Sequence, residues 1–496
     1  MKIRKNILRN SLLFLLVLAG VVSGCMPAAS PVFLLVTATP TPNLQLKLFP
    51  TALPTRPSYQ PGELVDYLVQ TGDNLPALAV HFNTSVQQIR AANPIIPDDA
   101  TTLPPGMPMK IPIYYESLWG SSFQIIPDSL FIDGPAQVGF DPVKFVNSQP
   151  GWFKNFQTGA GGVMKNGGEM VAYLATNYSI SPRLLLALIE YQTGALTQIT
   201  PPETENNYPL GYVQAGSEGL YNQLLWAANI LNNGYYGWRI GDLFSFEHPD
   251  GRLEHPDPWQ NAATVALQYY YSRIFYKGDY LRATQGEGIL KTYKNLFGDP
   301  WKKVTPHIPV YLHQPKLRLP FQAGKTWAYT GGPHAGWGDG DPKAAVDFAP
   351  PSVLGGCTPS QEWATAIADG VIVRIDPGVA VLDLDGDGDE RTGWVIFYLH
   401  LATRDKAHVG EKLNAGDPVG HPSCEGGHAT GTHVHIARKY NGEWIPADGV
   451  LALNLEGWIA QNGSQSYEGT LSRYNQQIRA CDCSDHASQL TAEDEP

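Results

Sequence analysis

The stretch TGGPHAGWGDGDPKAAVDF, Thr330–Phe348, holds one histidine, His334, and an aspartate thirteen positions later, Asp347. Glycine, proline and charged residues fill the space between them, poor material for a helix or a strand. An apolar run ending in AVDF follows. One reading is a turn that happens to contain a histidine. The other is a loop whose glycines and prolines return His334 to the side of Asp347, so that two ligands meet at one metal.

The residues downstream favour the second reading. Short apolar runs, VIVRI, VAVLDL, GWVIFYLHL, HVHIARKY and EWIPA, alternate with Gly, Pro and Asn/Asp turns. That pattern predicts an antiparallel β domain over 302–465. Residues two apart share a strand face, which groups Ile396, Tyr398 and His400 in VIFYLHLA. In GTHVHIA the same alternation sets His433 beside His435, opposite Thr432, Val434 and Ile436. Two imidazoles on one strand face suit a metal site, or a metal ligand next to a general base. No H-E-x-x-H sequence occurs, which excludes the helical zinc-protease motif.

Taken together, GGPH, VDF, YLHL and GTHVH resemble, in order and content, the β-lytic type of zinc endopeptidase within the LytM/lysostaphin-like family. The resemblance implies a β fold of the duplicated-hybrid-motif type. It implies zinc on His334, Asp347 and His435, with His400 and His433 as catalytic histidines that hold and activate water. Lysostaphin and most relatives place the first ligand four residues before the aspartate. Here that position is Lys343, protonated at neutral pH and a poor ligand. The departure fits the β-lytic branch, where the histidine comes from the far end of a loop. Three protein ligands with a fourth position open is the catalytic rather than the structural zinc pattern.

Other acidic and sulfur-bearing motifs stand nearby. DLDGDGDE sets Asp383, Asp385, Asp387 and Asp389 at alternate positions, resembling the first half of an EF-hand-type calcium loop. The glutamate expected at loop position twelve is replaced by Trp394. The motif reads either as a calcium-pinned hairpin tip or as a solvated acidic turn. Of the five cysteines, Cys25 stands apart, and Cys357, Cys424, Cys481 and Cys483 remain. Cys357 with Cys424 is the simplest pairing, although four cysteines allow three connectivities.

Upstream, the chain opens on a basic segment, MKIRKNILRN, then an apolar SLLFLLVLAG and VVSGC. This is the layout of a signal peptide over 1–24. Small residues before Cys25 resemble a lipobox and imply lipid attachment at Cys25, which would tether the exported chain to the membrane, facing the cell wall. Residues 25–63 are rich in proline and threonine and predict an extended spacer.

Tyr67 to Ile113 follows a strand–helix–helix–strand order. Its first strand is Tyr67–Val69, Thr84 or Ser85 caps the second helix, and Met109 to Ile113 closes it. With GDNL and AANP, residues 64–114 resemble a LysM module, a family that binds N-acetylglucosamine-containing glycans such as peptidoglycan. The resemblance places the glycan groove at Gly72, Asp73, Asn74, Leu75, Asn93 and Pro94.

Residues 117–301 read as mostly helical, with a Ser-Pro start signal before PRLLLALIEYQTG. ISPRLLLALIEYQTGAL resembles the catalytic helix of lysozyme-like lytic transglycosylases. The family's acid position holds Gln192, and Glu190, two residues earlier, points elsewhere on a helix. A lysozyme-like domain without catalysis and a muramidase using Glu190 both stay open. The polar segment 466–496 reads as a tail.

The chain is thus read as multidomain, an exported, zinc-dependent peptidoglycan hydrolase that cleaves cell-wall peptide cross-links. Two rivals are an inactive LytM-like activator of a cell-wall amidase and a glycan-cleaving enzyme acting through the middle domain. A formal net charge of −12 excludes nucleic acid as a general partner, since phosphate contact needs a basic surface.

Overall fold

The computed structural model describes residues 58–114, 120–201, 207–351, 355–483 and 485–493. The signal segment, Cys25 and the spacer up to residue 57 lie outside the described residues. The first module contains β1 (Glu63–Leu68), α1 (Leu75–His81), α2 (Val86–Ala92) and β2 (Pro108–Ile113). β1 pairs antiparallel with β2, Val65 opposite Ile111 and Tyr67 opposite Met109. β1 therefore starts ahead of Tyr67, because its six-residue pairing with β2, rather than its apolar run, sets its length. Asn74 and Ser85 cap the two helices through Ala77 N–H and Gln88 N–H, satisfying amides that a helix start leaves open. Leu75, Leu78, Phe82, Ile89 and Ile111 fill the core.

The middle region is built on seven helices: α3 (Pro142–Ser148), α4 (Gly167–Tyr178), α5 (Pro182–Thr193), α6 (Leu220–Ile240), α7 (Ala262–Ser272), α8 (Lys277–Ala283) and α9 (Ile289–Phe297). Two small hairpins join them, β3 (Gln157–Ala160) with β4 (Val163–Asn166) and β5 (Phe246–Glu247) with β6 (Leu253–Glu254). Asn166 and Glu169 form a capping box at the start of α4. Ser181 accepts from Leu184 N–H at the start of α5, Pro182 fills its first turn, and Gly194 ends it in the left-handed conformation. These are the expected start and stop chemistries of a helix.

The last region is a nine-stranded antiparallel sheet with smaller attachments. Its strands are β7 (Thr326–Ala335), β8 (Lys343–Ala349), β10 (Gly370–Asp376), β11 (Gly378–Asp383), β12 (Trp394–Leu401), β13 (Lys412–Leu413), β15 (Val434–Tyr440), β16 (Glu443–Trp444) and β21 (Gln489–Thr491). They run in the order β13-β10-β11-β12-β15-β8-β7-β21, with β16 beside β15. Outside it, β9 (Ala364–Thr365) pairs with β14 (Pro418–Gly420). β17 (Asn454–Leu455), β18 (Trp458–Asn462), β19 (Gly469–Arg473) and β20 (Gln476–Arg479) make a four-stranded sheet. The described residues from 466 on, expected as a tail, are therefore structured. They supply β19, β20 and β21, and β21 completes the main sheet by pairing with β7.

Alternation assigns each face of the main sheet a core. Ile372, Leu382, Ile396, Tyr398, Val434 and Ile436 pack with Phe321, Trp327 and Trp458. The opposite face, with Val381, Val395, Phe397 and Ala437, joins Leu174, Leu188, Leu231 and Tyr235 of the helices in one continuous cluster. The helical region is thus the second layer of the sheet rather than a separate bead.

A buried ionic cluster ties the helical region to the sheet region. Arg239 of α6 lies 3.1 Å from Glu443 and 3.5 Å from Asp128. His307 Nε2 lies 2.6 Å from the same Glu443 oxygen, and Tyr235 donates to it at 2.9 Å. Burial pushes the Glu443 carboxyl up, but Arg239 and His307 outweigh it and hold it at about 2. A folded-state value below the unfolded one contributes stability above about pH 4.5 that is lost as the pH falls toward 2. Glu443→Gln leaves buried Arg239 with Asp128 as its one remaining counter-charge in the cluster, so stability at pH 7 should fall by about 3 kcal/mol, the lower end for a broken buried pair. The gap from the unsubstituted chain should narrow between pH 5 and pH 3. Chemical denaturation at the two pH values measures both, and equal midpoints at pH 7 would refute the assignment.

Candidate metal centre and its surroundings

GGPH is strand, not loop. β7 carries Thr326–Ala335 and pairs with β8 through three register irregularities, placing Gly331 opposite Asp347 and His334 opposite Ala345. β-bulges absorb the glycine and proline that argued against a strand. The loop itself is only 336–342. Both glycines answer to close approaches. A Cβ on Gly331 would meet the Asp347 carboxylate, and one on Gly332 would meet the backbone at Glu468 and Gly469.

The sheet then aligns the other groups. β15 puts His435 opposite Asp347 of β8 on one side and Leu399 of β12 on the other. His334 Nε2, His435 Nδ1 and Asp347 Oδ1 converge at separations of 3.0, 3.3 and 3.4 Å. All three residues are buried. Asp347 Oδ1 has no hydrogen-bond partner, a costly state for a buried carboxylate oxygen unless a cation satisfies it. His334 Nδ1 donates to Gly332 O at 2.8 Å, and His435 Nε2 donates to Gly336 O at 3.2 Å. Each bond fixes the tautomer that turns the opposite nitrogen, a lone pair, into the cluster. Tetrahedral ligands at about 2.0–2.2 Å from zinc stand roughly 3.3–3.5 Å apart, close to the spacing here. The donor set fits a divalent metal of the zinc type.

Electrostatics agrees. Burial raises the Asp347 carboxyl, yet His334 and His433 hold it well below the usual carboxylate range. Burial lowers His435. Burial also lowers His334, but Asp347 outweighs it and the net shift is upward.

His400 departs from simple alternation. Tyr398 faces the core on one side of β12 and Leu399 the other, so a regular strand would put His400 on the Tyr398 side. The register shifts between Gly378 and Ala380, with Leu401 and Tyr398 as their partners, and His400 takes φ of +65°. The bulge swings His400 away from Ile396 and Tyr398, the expected grouping, and toward the metal cluster. Its ring stands 4.4 Å from that of His433 and 6.2 Å from that of His435. A histidine in left-handed backbone is strained, and such strain persists where the surroundings enforce it. Here Glu425 O accepts from His400 Nδ1 at 3.0 Å. Burial, then His433 and His435, push His400 down to about 3, so it is neutral. His433 Nδ1 donates to Gly431 O at 2.8 Å, and its Nε2 lies 3.8 Å from Asp347 Oδ2.

These groups line a cleft of about 960 Å³ that runs from Trp337 and Asp339 past the metal cluster to Tyr467 and Asp482. Tyr467 was not legible as a site residue, because it sits in the segment read as a tail. Its ring stacks on His334, centroids 4.1 Å apart at 20°. An aromatic between polar residues in SQSYEGT was the only cue. The Cys357–Cys424 disulfide is present, as is Cys481–Cys483. The first ties the 355–358 segment to the cleft wall, where Thr432 Oγ1 donates to Thr358 O at 2.6 Å.

Other expected residues fall elsewhere. Asp383, Asp385 and Asp387 bring carboxylate oxygens within 4.8 Å of one another, but these oxygens accept from Asp385, Gly388, Asp387 and Asp389 amides. Asp389 leaves the group and grips Arg391 at 2.6 Å. Glu190 accepts from Leu196 N–H at 2.7 Å, and Gln192 accepts from Tyr270 at 2.7 Å. Both side chains brace the middle region. Gly72 and Asn74 are half-buried against Arg239, Asp73 accepts from Tyr67 and Gln70 within the module, Leu75 fills the module's core, and Asn93 is buried on Ile89 O and Lys110 O. Pro94 is exposed.

A two-histidine, one-aspartate cluster on an antiparallel sheet, preceded by a small two-helix module, is similar to the β-lytic class of metalloendopeptidases. Two family models match the chain, LysM domain at 67–112 and LasA, N-terminal domain at 124–310. The match at 124–310 covers the middle region, helix α5 included. The chain is similar to protease LasA of Pseudomonas aeruginosa, 25% identical over 335 residues, 63% of this chain and 74% of that protein. It is also similar to beta-lytic metalloendopeptidase of Lysobacter enzymogenes, 29% identical over 166 residues, 32% of this chain and 86% of that one. Among solved structures, the M23 metalloprotease pseudoalterin from the deep sea is 23% identical, with TM-score 0.29, over 34% of this chain and 96% of that one.

Proposed function

We propose that the chain is a zinc-dependent endopeptidase that hydrolyses peptide cross-links of peptidoglycan, exported and tethered through lipid on Cys25, with a LysM module that has affinity for wall glycan. The observation that carries the reading is the convergence of His334 Nε2, Asp347 Oδ1 and His435 Nδ1 within 3.4 Å, with Asp347 Oδ1 otherwise unpartnered. The relatives named as proteases support the peptidase class. Cys25 lies outside the described residues, and no helix among those described is long and apolar enough to cross a membrane.

Zinc in this cluster would supply Lewis acidity at the scissile carbonyl and lower the pKa of water. The chain's own groups supply the rest. His400 and His433 each spend Nδ1–H on a backbone carbonyl, so each aims an Nε2 lone pair at the cleft. Two such acceptors hold both hydrogens of one water and orient its lone pair toward a carbonyl carbon. His433 then takes the proton and passes it to the leaving amine. Tyr467 and the 426–431 wall bound the space in which an extended peptide lies.

The purified chain should release new amino termini from isolated peptidoglycan, as scored by mass spectrometry, and a chelator should abolish the release. Intact peptides from folded, zinc-loaded protein would refute the reading.

The helices also position the site. Asn229 and Asn233 of α6 accept from Asp339 N–H at 3.0 Å and Asp341 N–H at 2.7 Å, holding the 336–342 loop. That loop supplies Gly336 O to His435. Asn233→Leu should weaken zinc binding about 10-fold, near the lower end of losses from outer-shell changes. Competition against a chromogenic chelator measures it, and unchanged affinity would show that the loop holds itself.

A further inference from the structure

The LysM module does not hang free. Both loops that border its glycan groove are engaged by the rest of the chain. In the loop after β1, Gln70 Nε2 donates to Trp259 O and Gln260 O at 3.1 and 3.2 Å, and Asn74 Nδ2 donates to Arg239 O at 3.0 Å. The Arg239 guanidinium donates to Thr71 O and fills the space where a side chain on Gly72 would stand. His81 of α1 stacks on Trp238, centroids 3.5 Å apart at 8°.

The segment 307–312 runs along the same side. Thr71 Oγ1 accepts from Ile308 N–H at 3.2 Å. In the loop before β2, Thr102 Oγ1 donates to Pro309 O at 2.8 Å and accepts from Leu312 N–H at 3.0 Å. Thr101 Oγ1 donates to Leu312 O at 2.8 Å, and Tyr311 N–H donates to Thr102 O at 3.1 Å. These five hydrogen bonds and a sixth, Thr71 Oγ1 donating to Ile308 O at 3.4 Å, hold one short backbone stretch against the two loops, much as a bound ligand would be held. On its other side Ile308 and Leu312 bury against Ile445, and His307 reaches Glu443.

We propose that the glycan face of the LysM module is masked in cis: the chain's own 307–312 segment, backed by Arg239, occupies it, and an N-acetylglucosamine oligomer reaches it only by displacing that segment. The inference rests on the glycan affinity of the module in the proposed function and says when that affinity is expressed. Binding to a state populated as a small fraction lowers apparent affinity by that fraction, so loosening the segment tightens binding. Module and segment also share the buried cluster around Glu443. Displacement therefore loosens the junction of all three regions, and wall contact becomes a signal rather than mere tethering.

The test uses the full exported chain with chelator present, so that hydrolysis plays no part. The probe is an N-acetylglucosamine hexamer, with calorimetric titration and amide hydrogen exchange as readouts. Thr71→Val with Thr102→Val removes four of the six bonds and leaves the core of the module intact. The expected result is at least 10-fold tighter binding by this double variant, and faster exchange at Ile308, Tyr311 and Leu312 when the unsubstituted chain is saturated. Binding by the unsubstituted chain with those amides still protected would overturn the masking while leaving glycan affinity in place. No binding by the folded double variant, with those amides already exchanging freely, would overturn both. Should the double variant misfold, exchange on the unsubstituted chain decides alone.

Discussion

His435→Ala should remove stoichiometric metal and peptide hydrolysis together. His435 is the hub of the cluster, 3.0 Å from His334 and 3.4 Å from Asp347, and its backbone is paired on both sides, to Asp347 and to Leu399. Alanine keeps those ladders, so the strand stays and only the donor goes. Losing a ligand costs more than the roughly 10–100-fold that outer-shell changes cost in metal affinity. The variant should therefore purify without zinc at ordinary concentrations and show no chelator-sensitive release of amino termini. Elemental analysis and mass spectrometry are the readouts. A variant that retains one zinc per chain, or full hydrolysis, would place the metal elsewhere. The control is Tyr467→Phe, which keeps the ring on His334 and should keep the zinc.

His433→Ala separates chemistry from metal binding. His433 Nε2 stands 3.8 Å from Asp347 Oδ2, outside the three-donor cluster, with Nδ1 already held by Gly431 O. Zinc content should be unchanged and kcat should fall by about 10²–10⁴, the range of a positioned general base. KM should move little, since no substrate contact is removed. His400→Ala should behave alike and should also relax the backbone at residue 400, which no longer needs φ of +65° to present a ring. A kcat within two-fold of the unsubstituted enzyme would rule out the proton-transfer role of His433 or the water-holding role of His400, whichever variant showed it.

The residues that the sequence exposes best are those whose placement follows from local period. His433 and His435 share a face because a strand alternates, and VIVRI, VAVLDL and EWIPA fall on β10, β11 and β16 for the same reason. Helix starts at Ser85 and Ser181 were readable because capping is chemistry within three residues. What was not readable depends on distant partners. His400 turns toward the metal cluster because Glu425 O and a bulge opposite Gly378 hold it there, which alternation within β12 cannot show. GGPH looked like a loop because bulge positions are set by what lies opposite, here the Asp347 carboxylate and the Glu468 turn. The contacts of the loop around Gly72 were not readable because the groups that engage it, Arg239 and Ile308, come from 165 to more than 200 residues away. The short strands after residue 466 are too polar to announce themselves against a background of loops.

One consequence concerns the order in which the molecule comes into being. The strand that carries His334 is flanked on its outer side by β21, where Gln489 faces Ala328 and Thr491 faces Thr326, 165 positions apart in the chain. The turn holding Tyr467 against His334 also follows every other site residue. Contacts of such long range form late in folding, because the intervening chain must first be brought together. A ribosome that has made His435 has not yet made the ring that stacks on His334 or the edge strand beside Thr326–Ala328. A chain that stopped before Tyr467 would lack both β21 and the ring on His334, leaving the main sheet with an open flank.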